Sequence, residues 1–190
     1  MTTTSIDIAN RALILLGGRE ITSFMDNTNE ARIAKSLYRS TRDYVLRAYP
    51  WASLKKRKEL AELADKPVSG FLHQYQLPND SIRVIEVHSV GKVRPSDWEV
   101  NGDALLTDAK PVSIVYLAGN LPESKYSSQL VQALVYRLAA EMAYPMTGNN
   151  TAQGNFAALF SQVLEEARTT DSLEQSAKKI GPHNFERVRL

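Results

Sequence analysis

The chain has 190 residues, 43% of them hydrophobic and 23% charged, which suits one ordinary globular domain or one domain carrying an insertion. Its formal net charge of +2 is too small to argue for nucleic acid by itself. The absence of cysteine excludes disulfide scaffolds, thiolate zinc sites and cysteine nucleophiles from this sequence.

The opening MTTTSIDIAN lacks the basic-then-apolar pattern of a secretory leader, so a cytoplasm-like compartment of synthesis is expected. Thr4 or Ser5 is placed to cap a first helix, with Ile8, Ala12, Leu15 and Leu16 as its inward stripe. Gly17-Gly18 stops it, because glycine accepts the left-handed conformation at a helix end; the pair lacks the lysine and spacing of a phosphate loop. A second helix is expected over Asn29 to Ala48, capped by Thr28 or Asn27. Ile33, Ala34, Leu37, Tyr38, Thr41, Tyr44, Val45 and Ala48 share one face of it. Arg32, Lys35, Arg39, Arg42 and Arg47 share the other, a stripe fit for DNA phosphates or an acidic protein, and equally read as a solvated face. Tyr49-Pro50-Trp51 breaks that helix and supplies two aromatic anchors.

From Ala52 to Gly119 the period becomes strand-like. Lys55 to Lys66 is charge-rich, and Asp65-Lys66-Pro67 reads as an exposed loop. His73 to Leu77 alternates, Pro78-Asn79-Asp80 forms a turn, and Ile82 to Val90 is rich in β-branched residues. Asn101-Gly102, flanked by Trp98 to Val100 and Ala104 to Leu106, is a strong hairpin signal, and Val112 to Leu117 is a further strand. One small antiparallel sheet is expected from these segments.

The stretch Leu130 to Thr147 (LVQALVYRLAAEMAYPMT) is apolar almost all round, with Arg137 and Glu141 four apart on one edge. It reads as the buried central helix, ended by Pro145 and Gly148; Gln132, Arg137 and Glu141 interrupt it too often for a membrane span. A last helix is expected from about Gly154, with Phe156, Leu159, Phe160, Val163, Leu164 and Ala167 inward. Its polar end past Ala167 would protrude or rest on a partner. The segment Lys178 to Leu190 mixes Lys178, Lys179, His183, Arg187 and Arg189 with Ile180, Phe185, Val188 and Leu190, a composition suited to ordering on binding. The expected fold is therefore α+β: a mainly α-helical bundle of about four helices with an inserted small antiparallel β-region. Residues 1–50 and 121–177 form the two halves of the bundle, 51–120 the insert and 178–190 an extended tail.

Catalytic patterning is weak. His73, His88 and His183 stand apart, away from metal-ligand spacing, and no nucleophile elbow, Walker loop or dinucleotide fingerprint occurs. Asp97 with Glu99 is a pair that a polysaccharide or cell-wall hydrolase could use, but a chain with 21 acidic residues offers such pairs readily. No catalytic residue, metal or cofactor is expected, and the residues alone describe an interaction module.

Four strings together resemble the tail tubular protein A family of podovirus-type phages, the head-to-tail adaptor or connector. They are Tyr49-Pro50-Trp51, Tyr75 to Asp80 (YQLPND), Trp98 to Asp108 (WEVNGDALLTD) and Leu138 to Gly148 (LAAEMAYPMTG), in the family's order within a likeness running from about Ser5 to Ala177. The resemblance implies a structural virion protein rather than an enzyme. It would be a twelve-subunit homo-oligomeric ring between the portal and a tail nozzle of the tail tubular protein B kind, with double-stranded DNA passing through the lumen unspecifically and no membrane partner. Under that reading Phe185, Arg187 and Arg189 of the tail, with Arg32, Arg39 and Arg42 of the second helix, are the expected docking anchors for the portal or a neighbouring subunit. The alternatives are a nucleic-acid-binding accessory protein using the same arginines, and the hydrolase.

Overall fold

The structure, a computed structural model, describes residues 3–67, 70–89 and 97–179. Among them are four α-helices: α1 (Ser5–Leu15), α2 (Asn29–Ala48), α3 (Ser128–Thr147) and α4 (Asn150–Lys179). Six strands lie between α2 and α3: β1 (Lys55–Glu59), β2 (His73–Gln76), β3 (Ser81–Ser89), β4 (Trp98–Asn101), β5 (Ala104–Thr107) and β6 (Val112–Ala118). The protein is α+β. It divides into two compact units, one holding Arg42–Leu130 and the other Ser5–Thr41 with the chain from Val131, so the cuts fall inside α2 and α3.

In the helical unit, α1 buries Ile8, Ala9, Ala12 and Leu13, while Leu15 is exposed, contrary to the stripe expected for it. The difference follows from where α1 ends. Gly18 donates to the Leu13 carbonyl and Gly17 to the Ile14 carbonyl, with Gly17 left-handed at φ 73°, a Schellman closure that leaves Leu15 on the last exposed turn. Gly18 is needed for closeness instead: a Cβ there would sit 2.6 Å from the Met146 methyl. The side-chain amide of Asn10 donates to and accepts from the backbone of Ile21 at 2.9 and 2.8 Å, fixing the segment after α1 as a strand neighbour would. Asp26 then accepts from the Thr22 and Ser23 amides, which holds its carboxyl below the usual range. The Thr28 hydroxyl caps α2 through the Ala31 amide.

Helix α3 is buried nearly all round, with Leu134, Leu138, Ala139, Met142 and Ala143 fully inaccessible. Arg137 and Glu141 pair across one turn. The helix passes through Pro145 and is ended by Gly148, at φ 67°, whose amide donates to Tyr144. Asn149 immediately caps α4 by accepting from Thr151 and Ala152, so that helix starts four residues before the Gly154 expected. Phe160, Val163 and Ala167 are its buried stripe, whereas Leu159 is exposed.

The β-region contains two antiparallel three-stranded sheets rather than one, in the orders β1-β6-β3 and β2-β5-β4. Leu60, Tyr75, Leu77, Val84, Val87, Leu105, Val112, Ile114, Tyr116 and Ala118 form one apolar cluster from both. Register shifts in β3 around Ile82 and Ile85 let Val84 and Val87 both reach it. Asn101 pairs with Ala104, so the hairpin loop is Gly102-Asp103, one residue later than the sequence suggests. Only Gly102 has positive φ, which makes the turn type II′ rather than the type I′ of an Asn-Gly loop.

Candidate interaction site

The segment Lys55 to Glu59 was expected only as a charge-rich stretch, yet it is a strand. Four successive cations have low strand propensity, and pairing with the apolar β6 overrides it: Lys56 lies opposite Tyr116 and Lys58 opposite Ile114. Because β1 is terminal in its sheet, one of its backbone edges faces away from β6. Opposed residues share a face, so Lys56 and Lys58 lie on the side of the apolar cluster and Lys55 and Arg57 on the other.

Lys56 is committed to the fold. Its ammonium donates to Asp80 at 3.0 Å and to the Asn120 amide oxygen at 3.3 Å. Tyr116 donates to the other Asp80 oxygen at 3.1 Å, and the Asp80 carbonyl accepts from the Gly119 amide at 2.8 Å. Burial pushes the Asp80 carboxyl up, but the bonds from Lys56 and Tyr116 outweigh it and leave the group below its ordinary value. Burial, with Asp80 alongside, pushes the Tyr116 hydroxyl up. Asp80 thus ties β1, β3 and β6 together at one end of their sheet. Beside it an open groove of about 760 Å³ runs between Lys58–Ala61 and Gln76–Asp80. Its floor carries Leu60, Leu77 and Tyr116.

Arg42, expected as a docking anchor, is engaged within its own chain. Its guanidinium donates to the Tyr126 hydroxyl and the Gly119 carbonyl, both at 2.9 Å, and lies 3.6 Å from Glu123. A side chain only 19% exposed and so fully engaged is a staple between the last turns of α2 and the segment after β6. Burial raises the Tyr126 pKa against the pull of Arg42. Nearby, Trp51 and Tyr49 stack edge to face at 4.9 Å, and the Trp51 indole donates to the Val45 carbonyl.

Arg32 and Arg39 are exposed on α2 with Lys35, whose ammonium lies 3.0 Å from the Met25 sulfur. Tyr44, expected inward, is 52% exposed, whereas Leu46 is buried. Phe185, Arg187 and Arg189 lie outside the described residues. Asp97 and Glu99 are both exposed, the latter on the edge strand β4. Glu62 accepts from His73 and Lys110; the Lys110 bond is the larger of the two effects holding its carboxyl below the usual range. Among the described residues no three His, Asp or Glu side chains are gathered to hold a metal, and no helix is long and apolar enough to cross a membrane.

By architecture this is an α+β protein whose β-region follows α2 and precedes α3. No protein-family model matches the chain, and no curated protein matches it.

Proposed function

We propose that the chain is a structural adaptor of the phage head-to-tail kind, a subunit of a homo-oligomeric ring joining a portal to a tail nozzle, with double-stranded DNA passing through. The observation that carries the reading is the set of four family-like strings standing in family order between Tyr49 and Gly148. The α+β fold supports it, because a helical bundle with a β-insert is what the resemblance implies.

Those strings also have physical work in this chain. Trp51 and Tyr49 anchor the exit from α2, and Asp80 holds the end of the β1-β6-β3 sheet. Trp98 to Asp108 makes the β4–β5 hairpin and ends on Asp108, which accepts from the Leu72 amide. Leu138 to Gly148 is the C-terminal half of α3, which buries Leu138, Ala139, Ala140, Met142 and Ala143 before its glycine stop. A ring subunit presents different patches to its two neighbours. Exposed arginines such as Arg32 and Arg39 suit that use, since charge complementarity fixes register and partner choice.

The test is negative-stain electron microscopy of the purified chain, alone and mixed with the portal protein of the same phage. Rings, or a new layer capping the portal, are expected. Dispersed single subunits in both samples would overturn the adaptor reading and favour the accessory-protein alternative, which the exposed basic side of α2 also suits.

A further inference from the structure

The open edge of β1 has a chemistry of its own. Of its four cations, Lys56 is taken up by Asp80 and Asn120. Lys55, Arg57 and Lys58 have no carboxylate within ion-pair distance among the described residues, and all three are exposed. Three uncompensated charges on four successive residues repel one another, and the edge beside them leaves main-chain donors and acceptors for a further strand.

We propose that β1 is a docking edge for an acidic, extended segment of a different protein, which adds as a further strand beside it. Glutamates or aspartates at alternate positions of that segment would face Lys55 and Arg57 on one side of the sheet, and the position beyond the one facing Arg57 would lie beside Lys58 on the other. Glu59 closes the run and limits the register, since an acid opposite it would be repelled. The groove floored by Leu60, Leu77 and Tyr116 offers room for an apolar side chain next to Lys58.

Charge decides against the other occupants. A second copy pairing β1 to β1 would set cations against cations. The chain's own segments outside the described residues, 90–96 and 180–190, carry Lys92, Arg94, Arg187 and Arg189 against the single acid Glu186. Duplex DNA would meet the charges, but it would leave the edge carbonyls and the apolar floor unused.

The experiment uses the full chain and a short fluorescent peptide of alternating glutamate and threonine with one central valine. Fluorescence anisotropy should show salt-sensitive binding, and hydrogen exchange of the β1 amides should slow in the complex. The joint substitution Lys55→Glu, Arg57→Glu and Lys58→Glu should weaken binding by about tenfold or more. The milder Lys55→Gln, Arg57→Gln and Lys58→Gln variant, checked by circular dichroism, should weaken it with the fold intact. No binding, equal binding by the substituted chains, or binding that leaves β1 exchange unchanged would overturn the proposal. So would a β1-dependent dimer, or a duplex oligonucleotide that protects the same amides as well as the peptide does. Ring formation is not required for any of these readouts.

Discussion

Asp80 shows what one side chain can hold. It accepts from Lys56 on one oxygen and from Tyr116 on the other while only 16% exposed, so an amide in its place removes the charge and leaves one of the two donors facing an NH2 group. Asp80→Asn should cost about 1–3 kcal/mol at neutral pH. Because its folded pKa lies below the ordinary value, its contribution is complete above that value and is lost as pH falls through the folded one. Denaturant midpoints of the two proteins should therefore lie apart at pH 7 and draw together as the pH falls below the ordinary aspartate value and through the lower folded one. A gap that stays constant would mean that the carboxylate charge is not what Lys56 and Tyr116 recognise. Arg42 is the parallel case on the other side of Gly119, whose amide donates to Asp80 and whose carbonyl accepts from Arg42. Lone sequence positions could not reveal either role: Arg42 is one of five basic residues on a single predicted helix face, and the Gly119 carbonyl and Tyr126 hydroxyl to which it donates lie 77 and 84 residues away.

At the scale of elements, helix limits follow local chemistry closely. The two-residue passage Gly148-Asn149 ends α3 and caps α4 without a connecting loop. Gly17 and Gly154 make the same point with opposite signs. Gly17 needs its left-handed φ of 73°, so Gly17→Ala should destabilise by about 1 kcal/mol. Gly154 sits within α4 with nothing within 4 Å of an added Cβ, so Gly154→Ala should stabilise by about 0.5–1 kcal/mol. Thermal or denaturant unfolding of both variants checks the pair, and shifts of the same sign would refute the helix-end argument. β1 is the counterexample to local legibility. Nothing in KKRKE alternates, and its strand state comes entirely from the register it takes on β6.

For the whole molecule, the adaptor and accessory-protein readings part at the exposed basic side of α2. Arg42 does not belong in that test, because neutralising it would remove the bonds to Gly119 and Tyr126 and damage the fold. Arg32→Gln with Arg39→Gln touches only exposed side chains and should leave stability within about 0.5 kcal/mol. An adaptor should then lose ring or portal assembly while its duplex affinity stays weak and unchanged. A sharp fall in duplex binding, read with the salt dependence, would instead support a nucleic-acid-binding protein.

The sequence by itself determined the α+β class, the span of α2, the buried character of α3 and the presence of the β4–β5 hairpin. These rest on period, capping and turn chemistry, which act over a few residues. Only the tertiary structure decided that the strands make two sheets, that Lys55–Glu59 joins one of them, and that Arg42 turns inward. It also decided that Asn10 reaches Ile21 and that the hairpin loop begins at Gly102. Each of these depends on which distant backbone or side chain satisfies a polar group, and such pairings leave no period in the chain.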